Sequence, residues 1–285
     1  MVTKQSMKQT FANPDVLNFY KILPFNARDS IKNEIERVRI MESGKLYPPL
    51  PQILAREKTV LEVGCGVGWQ SNSIAYLYRC PVTGIDFNPV AIERSVQVAN
   101  ALQLDTRFFT EDLFMYEPDQ QFDIVISFGV LHHTNNCIAA VERVCEKFVG
   151  PGGYVVIGLY HKYGRQPFLS YFDTMKKRGA TEEEMLSRFK QLHSSIDDET
   201  YLISWFRDQV LIPHETQHTL EEMIPVLERT KMKLISTSIN HFQPIRGNLR
   251  KILEEEKEYQ YLGEQRLREN KYFPGFFIFL AQKLD

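Results

Sequence analysis

The chain has 285 residues, 34 Lys and Arg against 36 Asp and Glu, a formal net charge of −2, and 43% hydrophobic residues. That length allows one enlarged domain with a sizeable core, and the near-neutral charge argues against tracking nucleic-acid phosphates, since no basic stripe supplies counterion release. Cys65, Cys80, Cys137 and Cys145 form no C-x-x-C pair, no signal peptide opens the sequence, and no apolar run approaches the ~18 residues of a membrane span. The expectation is a soluble cytoplasmic protein with reduced thiols.

Residues 1–15 are polar and read as a frayed start; residues 18–26 are aromatic-rich and broken by Pro24. A helix is expected next, with Asp29 or Ser30 as N-cap and Ile31, Ile35 and Val38 on one apolar face. Tyr47-Pro48-Pro49-Leu50-Pro51 ends it as a stiff connector. The short apolar run 60–63 then reads as a buried parallel strand breaking into Gly64, Gly66 and Gly68, with a helix over 70–78. Such a turn presents backbone N–H groups and a positive helix end to a ligand, or is a plain βαβ connection with none. A dinucleotide turn would need glycine or alanine where Trp69 stands, and no Gly-Lys pair marks a phosphate loop. Glu62 precedes the glycines, and a second strand ends in Asp86, close to the ~20-residue offset at which an acid meets a ribose.

Asn88-Pro89 starts a second helix with Ile92, Val96 and Ala99 facing inward. A third strand over 106–110 leads to Glu111-Asp112-Leu113, and a fourth over 121–127 leads to Phe128-Gly129-Val130-Leu131-His132-His133-Thr134. A helix over 137–148, the turn Gly150-Pro151-Gly152-Gly153 and a fifth strand over 154–159 follow.

Glu62 with its G-x-G-x-G, Asp86, Asp112, the stretch F-D-I-V-I-S-F-G-V-L-H-H-T and the P-G-G turn cover residues 59–160 without a gap. Together they resemble the class I methyltransferases that use S-adenosylmethionine (SAM). The resemblance implies a Rossmann-like α/β fold, a seven-stranded mostly parallel sheet with an antiparallel last strand, and S-adenosylhomocysteine as product. It also implies that Glu62 and the Gly64, Cys65, Gly66 and Gly68 backbone hold the amino-acid end of SAM. Asp86 would take the ribose hydroxyls and Asp112 the adenine amine, with Phe87, Leu113 and Phe128 as further cofactor-binding positions. Residues 1–58 would form an N-terminal arm or lid over a SAM-binding core at 59–160, which makes Tyr20, Asn26 and Arg28 candidates for its roof. An arm packed purely for stability is the alternative.

Beyond Leu159 the pattern loosens. Residues 161–218 read as an inserted helical cap, with a Thr181–Glu184 capping box, then Met185, Phe189 and Leu192 on one face, and a buried segment at Tyr201, Trp205 and Phe206. Such a cap would shape the acceptor pocket or form a homodimer surface. His214-Glu215-Thr216-Gln217-His218 matches the zinc-protease pattern H-E-x-x-H, which needs both histidines on one helical face. Pro213 and a Thr219–Glu222 capping box place His218 outside the next helix. A loop presenting Asp208, His214, Glu215 and His218 to the pocket is the better reading, with no metal assigned and metal-assisted transfer left open. Residues 219–285 return to the core: a helix over 220–228, a strand over 234–240, a charged helical insertion over 249–268 whose run 254–258 reads as solvated, and a last strand over 275–281.

The function expected is methyl transfer to oxygen or nitrogen of a small or medium-sized metabolite, with neither nucleic acid nor membrane as partner. His132 or His133 is the expected general base, and Tyr160, His161, Asp208 and His214 are the next catalytic candidates. The competing readings are a peptide or protein methyltransferase with an open groove, and a silent SAM-binding scaffold.

Overall fold

Strand β1, Val60–Val63, is buried at every position, as a parallel strand covered on both faces must be. It pairs in parallel with β2, Val82–Asp86, on one side and with β4, Phe122–Phe128, on the other. The computed structural model, which describes residues 13–40 and 47–285, completes the sheet with β3 (Thr106–Thr110), β5 (Val149–Tyr160), β6 (Met232–Thr237) and β7 (Phe276–Lys283). The order is β3-β2-β1-β4-β5-β7-β6, with β7 antiparallel to both neighbours. The chain reverses its direction of travel across the sheet between β1 and β4, and such a switch point opens a crevice at the strands' carboxyl ends.

Alternation along the strands builds two cores. Leu61, Val63, Val125, Val155 and Phe277 pack on one face, under helices α5 (Cys137–Arg143) and α9 (Leu220–Arg229). Val60, Ile124, Ile126, Val156 and Leu280 face the other way, against Ile74 of α3 (Trp69–Tyr78). The arm contributes α1 (Pro14–Ile22) and α2 (Ile31–Ile40), and α4 (Pro89–Leu102) lies between β2 and β3 in sequence. A third cluster joins Phe168, Phe172, Phe189 and Phe206 from α6 (Lys162–Lys177), α7 (Glu182–Leu192) and α8 (Glu199–Phe206). Leu267 of α11 (Tyr259–Arg268) and Tyr272 pack against that cluster, so it draws on chain well beyond residue 218.

Several expected elements shift. Val96 is 36% exposed; Ala91, Ile92, Ser95, Val98 and Ala99 form the inner face of α4. The helix expected over 137–148 is α-helical only to Arg143 and then widens into a π-turn over Val144–Phe148. Strand β5 starts at Val149 and takes in the glycine turn, with a register shift between Phe122 and Ile124 on its neighbour. Strand β6 stops at Thr237, where a tight turn, Ser238–Asn240, replaces its expected end. The charged run 254–258 is not all solvated, because Glu256, after α10 (Leu249–Glu255), is 1% exposed. Of the start read as frayed, residues 13–15 carry the Asn13 cap and first turn of α1, and residues 1–12 lie outside the described residues. Among the described residues no helix is long and apolar enough to cross a membrane.

Candidate active site

A cavity of about 580 Å³ lies over the carboxyl ends of β1, β2, β4 and β5, roofed by α1, the 24–26 turn and α8. Its floor is the glycine turn. Gly64 has φ 73°, and a Cβ there would sit 2.4 Å from Val130 Cγ1, so glycine is required twice over. Gly66, at φ 52°, has nothing within 4 Å of its Cβ position, which leaves the turn open to an approaching molecule. Its N–H donates to Asp86 Oδ2 at 2.9 Å, and Asn88 N–H donates to Asp86 Oδ1 at 2.8 Å. These bonds aim the carboxylate at the cavity, yet burial outweighs them and pushes its pKa up to about 6. Glu62, beneath the turn, accepts a hydrogen bond from Ser71 Oγ, and burial pushes its pKa up to about 8.

Glu62, Gly64, Cys65, Gly66, Asp86, Phe87, Asp112, Leu113 and Phe128 all line this cavity. Gly68 does not; it is the left-handed N-cap residue of α3, its Cβ position hard against Ser95. Asp112 faces the cavity and also accepts from Phe114 N–H at 2.9 Å, so it serves as turn residue as well. Several lining residues escaped the sequence reading, Gln70 and Arg37 among them. Gln70 is 1% exposed, and neither its amide oxygen nor its nitrogen has a partner among the described residues. Arg37 comes from α2, with its guanidinium carbon 4.9 Å from the Trp69 ring centroid and 5.2 Å from that of Tyr201. The signal for Gln70 was its place in the first turn of α3; nothing local marked Arg37.

At the other end of the cavity the tandem histidines separate. His133 Nδ1 donates to the His214 carbonyl at 2.9 Å, which fixes the neutral tautomer with the Nε2 lone pair free. That Nε2 has no hydrogen-bond partner among the described residues and lies 3.8 Å from Asp208 Oδ1. Asp208, 3% exposed, accepts from the hydroxyls of Tyr20 and Tyr160 and from Gln209 Nε2. His132 turns away from the cavity. Its Nδ1 accepts from Tyr160 N–H at 3.3 Å, and burial beside His133 drives its pKa well below the imidazole range, so it stays neutral.

Two other catalytic candidates are also absent from the lining. His161 is the N-cap of α6: Nδ1 accepts from Gly164 N–H, while Nε2 donates to buried Glu256 at 3.1 Å. Glu256 accepts from Leu220 N–H at 2.9 Å as well, which ties the start of α9 to the same point. His214 Nε2 donates to the Thr134 carbonyl at 3.1 Å. His218 is held by Thr216 and Glu222 ahead of α9, and the two histidines of H-E-x-x-H therefore share no helical face. Of the roof candidates Tyr20 and Asn26 line the cavity, whereas Arg28 stacks on Tyr201 at 3.9 Å and pairs with Asp198. Behind the site lies fully buried Arg165, bonded to both carboxylate oxygens of Glu215 and to Gln209, its guanidinium carbon 4.1 Å from the centroid of Tyr160.

Comparison with known proteins agrees with this layout. A family model described as a methyltransferase domain matches residues 35–221, more than half of the chain. The ubiquinone biosynthesis O-methyltransferase of Pseudomonas paraeruginosa is 36% identical over 107 residues, which are 37% of this chain and 45% of that protein. Its counterpart in Pseudomonas putida strain F1 is 37% identical over 100 residues, 34% of this chain and 42% of that one. The match thus spans under half the length of these curated relatives. Among solved structures, PKMT2 from Rickettsia typhi superposes with a TM-score of 0.59 at 14% identity, covering 95% of this chain and 52% of that one. Magnesium protoporphyrin IX methyltransferase from Synechocystis PCC 6803, solved with SAH, gives 0.51 at 14% identity, covering 95% and 93%. At that identity both likenesses concern the fold. With the family model over β1 to β5 and the glycine turn, the chain belongs to the methyltransferase-domain family.

Proposed function

We propose that the protein transfers the methyl group of SAM to a nitrogen or oxygen of a small acceptor, with His133 as general base. One observation carries this reading: a single cavity joins the glycine turn and its acids to the unpartnered Nε2 of His133. The residues present suit the cofactor. Asp86 would accept from the ribose hydroxyls, and Asp112, Leu113 and Phe128 would surround the adenine. Glu62 would meet the α-ammonium, while Gln70, Arg37 and the first N–H groups of α3 would take the carboxylate. SAM supplies an electrophilic methyl on a sulfonium. The arm and the inserted segment would exclude water and hold the acceptor in line with that methyl, an alignment worth up to ~7–11 kcal/mol. His133 would take the acceptor's proton, and Asp208 would stabilise the imidazolium so formed.

Calorimetry tests the reading. SAM and S-adenosylhomocysteine should bind and NADH should not, because Trp69 fills the place of the dinucleotide glycine; NADH binding without a SAM signal would end it. The same titration at pH 7 in buffers of different ionisation heat should show protons released, since Glu62, with a pKa of about 8 in the free protein, must ionise beside an ammonium. In linkage terms its folded pKa lies above the unfolded value, so its contribution to stability is lost as the pH rises through about 8. A bound ammonium reverses that loss. Heats that are independent of the buffer would remove Glu62 from the ammonium site.

Asp86→Ala removes a charge-assisted acceptor worth roughly 1.5–3 kcal/mol. SAM affinity should fall about tenfold or more, with an unchanged circular dichroism spectrum. Undiminished affinity would mean that the ribose lies elsewhere.

A further inference from the structure

Around Asp208 nearly every donor is already spent on the protein. Tyr20 and Tyr160 hydroxyls donate to Asp208, and so does Gln209 Nε2 at 2.7 Å. Tyr272 Oη donates to Gln209 Oε1 at 2.9 Å, and Trp205 Nε1 donates to Asn26 Oδ1 at 2.9 Å. What remains facing the cavity is acceptor capacity: the lone pair on His133 Nε2 and a free lone pair on Asp208 Oδ1, 3.8 Å apart. No Lys or Arg pairs with Asp208 among the described residues; Arg165 is committed to Glu215, and Arg37 lies over Trp69. The acceptor end thus holds a buried carboxylate with no fixed cation and aromatic walls.

Resting on the methyltransferase reading above, we propose that the acceptor is a small primary or secondary amine bound as its ammonium cation. One nitrogen bearing two N–H groups can sit about 2.8 Å from both His133 Nε2 and Asp208 Oδ1, because charge-assisted bonds have that length and the two atoms are 3.8 Å apart. An alcohol has one hydrogen to give, so it leaves one of the two acceptors unpaired and the carboxylate uncompensated. A carboxylate ligand would meet Asp208 with like charge and find no donor. The aromatic walls formed by Tyr20, Tyr160, Trp205 and Tyr272 add attraction for a desolvated cation.

The proton and electron balance closes without another reagent. An N–H bond of the ammonium breaks, with the proton passing to His133 Nε2 and the electron pair staying on nitrogen. That pair forms the new N–C bond to the methyl carbon as the C–S bond breaks with its electrons on sulfur, leaving the thioether S-adenosylhomocysteine. The product leaves as an N-methylammonium ion, and His133 returns its proton to solvent.

Three probes on one skeleton test the assignment: 2-phenylethylamine, 2-phenylethanol and phenylacetate, titrated into the full chain saturated with S-adenosylhomocysteine. The amine should bind about tenfold or more tightly than the alcohol, as a charge-assisted pair predicts, and phenylacetate least of all. Asp208→Asn, which keeps the side chain's size, should abolish the preference for amine over alcohol while S-adenosylhomocysteine still binds. Equal or tighter binding of the alcohol or of phenylacetate, no binding of the amine, or a preference that survives in Asp208→Asn would each overturn the proposal. The wild-type ranking decides the matter even if the variant does not fold. Failure of the wild type to bind S-adenosylhomocysteine would instead fell the methyltransferase reading on which it rests.

Discussion

His133→Gln should lower turnover by about 10²–10⁴ while SAM affinity stays within a factor of two or so, the usual share of a positioned general base. The expectation comes from the tautomer. With Nδ1–H committed to the His214 carbonyl, the one basic nitrogen of the ring is Nε2, and it has no protein partner. A glutamine amide fills the space but cannot take a proton at neutral pH. His132→Gln is the control. His132 lies outside the cavity lining and is kept neutral by burial, and a glutamine oxygen can still accept from Tyr160 N–H. Its loss of turnover should be small. If His133→Gln turns over normally on the identified acceptor, base catalysis by this ring is wrong.

The glycine-turn end of the cavity was readable because its lining residues are close together in the chain. Glu62, the glycines and Asp86 fall within one βαβ unit, whose geometry follows from strand, turn and helix signals. The choice between His132 and His133 was not readable, since both lie in the short 3₁₀ turn Leu131–His133 and only the carbonyl of His214, 81 residues on, selects the ring that faces the cavity. Asp208 was placed at the pocket as part of a loop with His214, Glu215 and His218; it lies instead in a helical turn over Arg207–Leu211, and the Tyr20 hydroxyl that donates to it comes from 188 residues earlier. Nothing in the sequence marked Arg165 within the insert; it is buried in α6 because Glu215, 50 residues away, neutralises it. Glu256 likewise sat in a charged run, and its burial depends on His161 and the N-terminus of α9, which residue spacing does not reveal. Local periodicity sees neighbours in the chain. Paired buried charges are set by neighbours in space.

Gly275 is the extreme case, and its replacement should have the largest effect on stability. It stands just before β7 at φ 52°, and a Cβ there would lie 2.4 Å from Arg165 N and 2.5 Å from Arg165 Cα. Those are backbone atoms in the first turn of α6, so no rotamer change relieves the clash. The carbonyl of Gly275 also accepts from His161 N–H at 2.7 Å, which locks the crossing from the other side. Left-handed strain of roughly 1–2 kcal/mol and an overpacking cost of about 1–3 kcal/mol together predict that Gly275→Ala loses about 2–5 kcal/mol. Gly152→Ala supplies the comparison. Its φ is 70° but nothing lies within 4 Å of its Cβ position, so it should cost the strain alone. Urea unfolding of the two variants separates packing from backbone conformation. The displaced first turn of α6 carries Arg165, and through Gln209 it supports Tyr160 and Asp208. Folded Gly275→Ala protein should therefore lose acceptor binding before it loses SAM. A Gly275→Ala protein no less stable than Gly152→Ala would show that the helix and the strand do not meet here as closely as described.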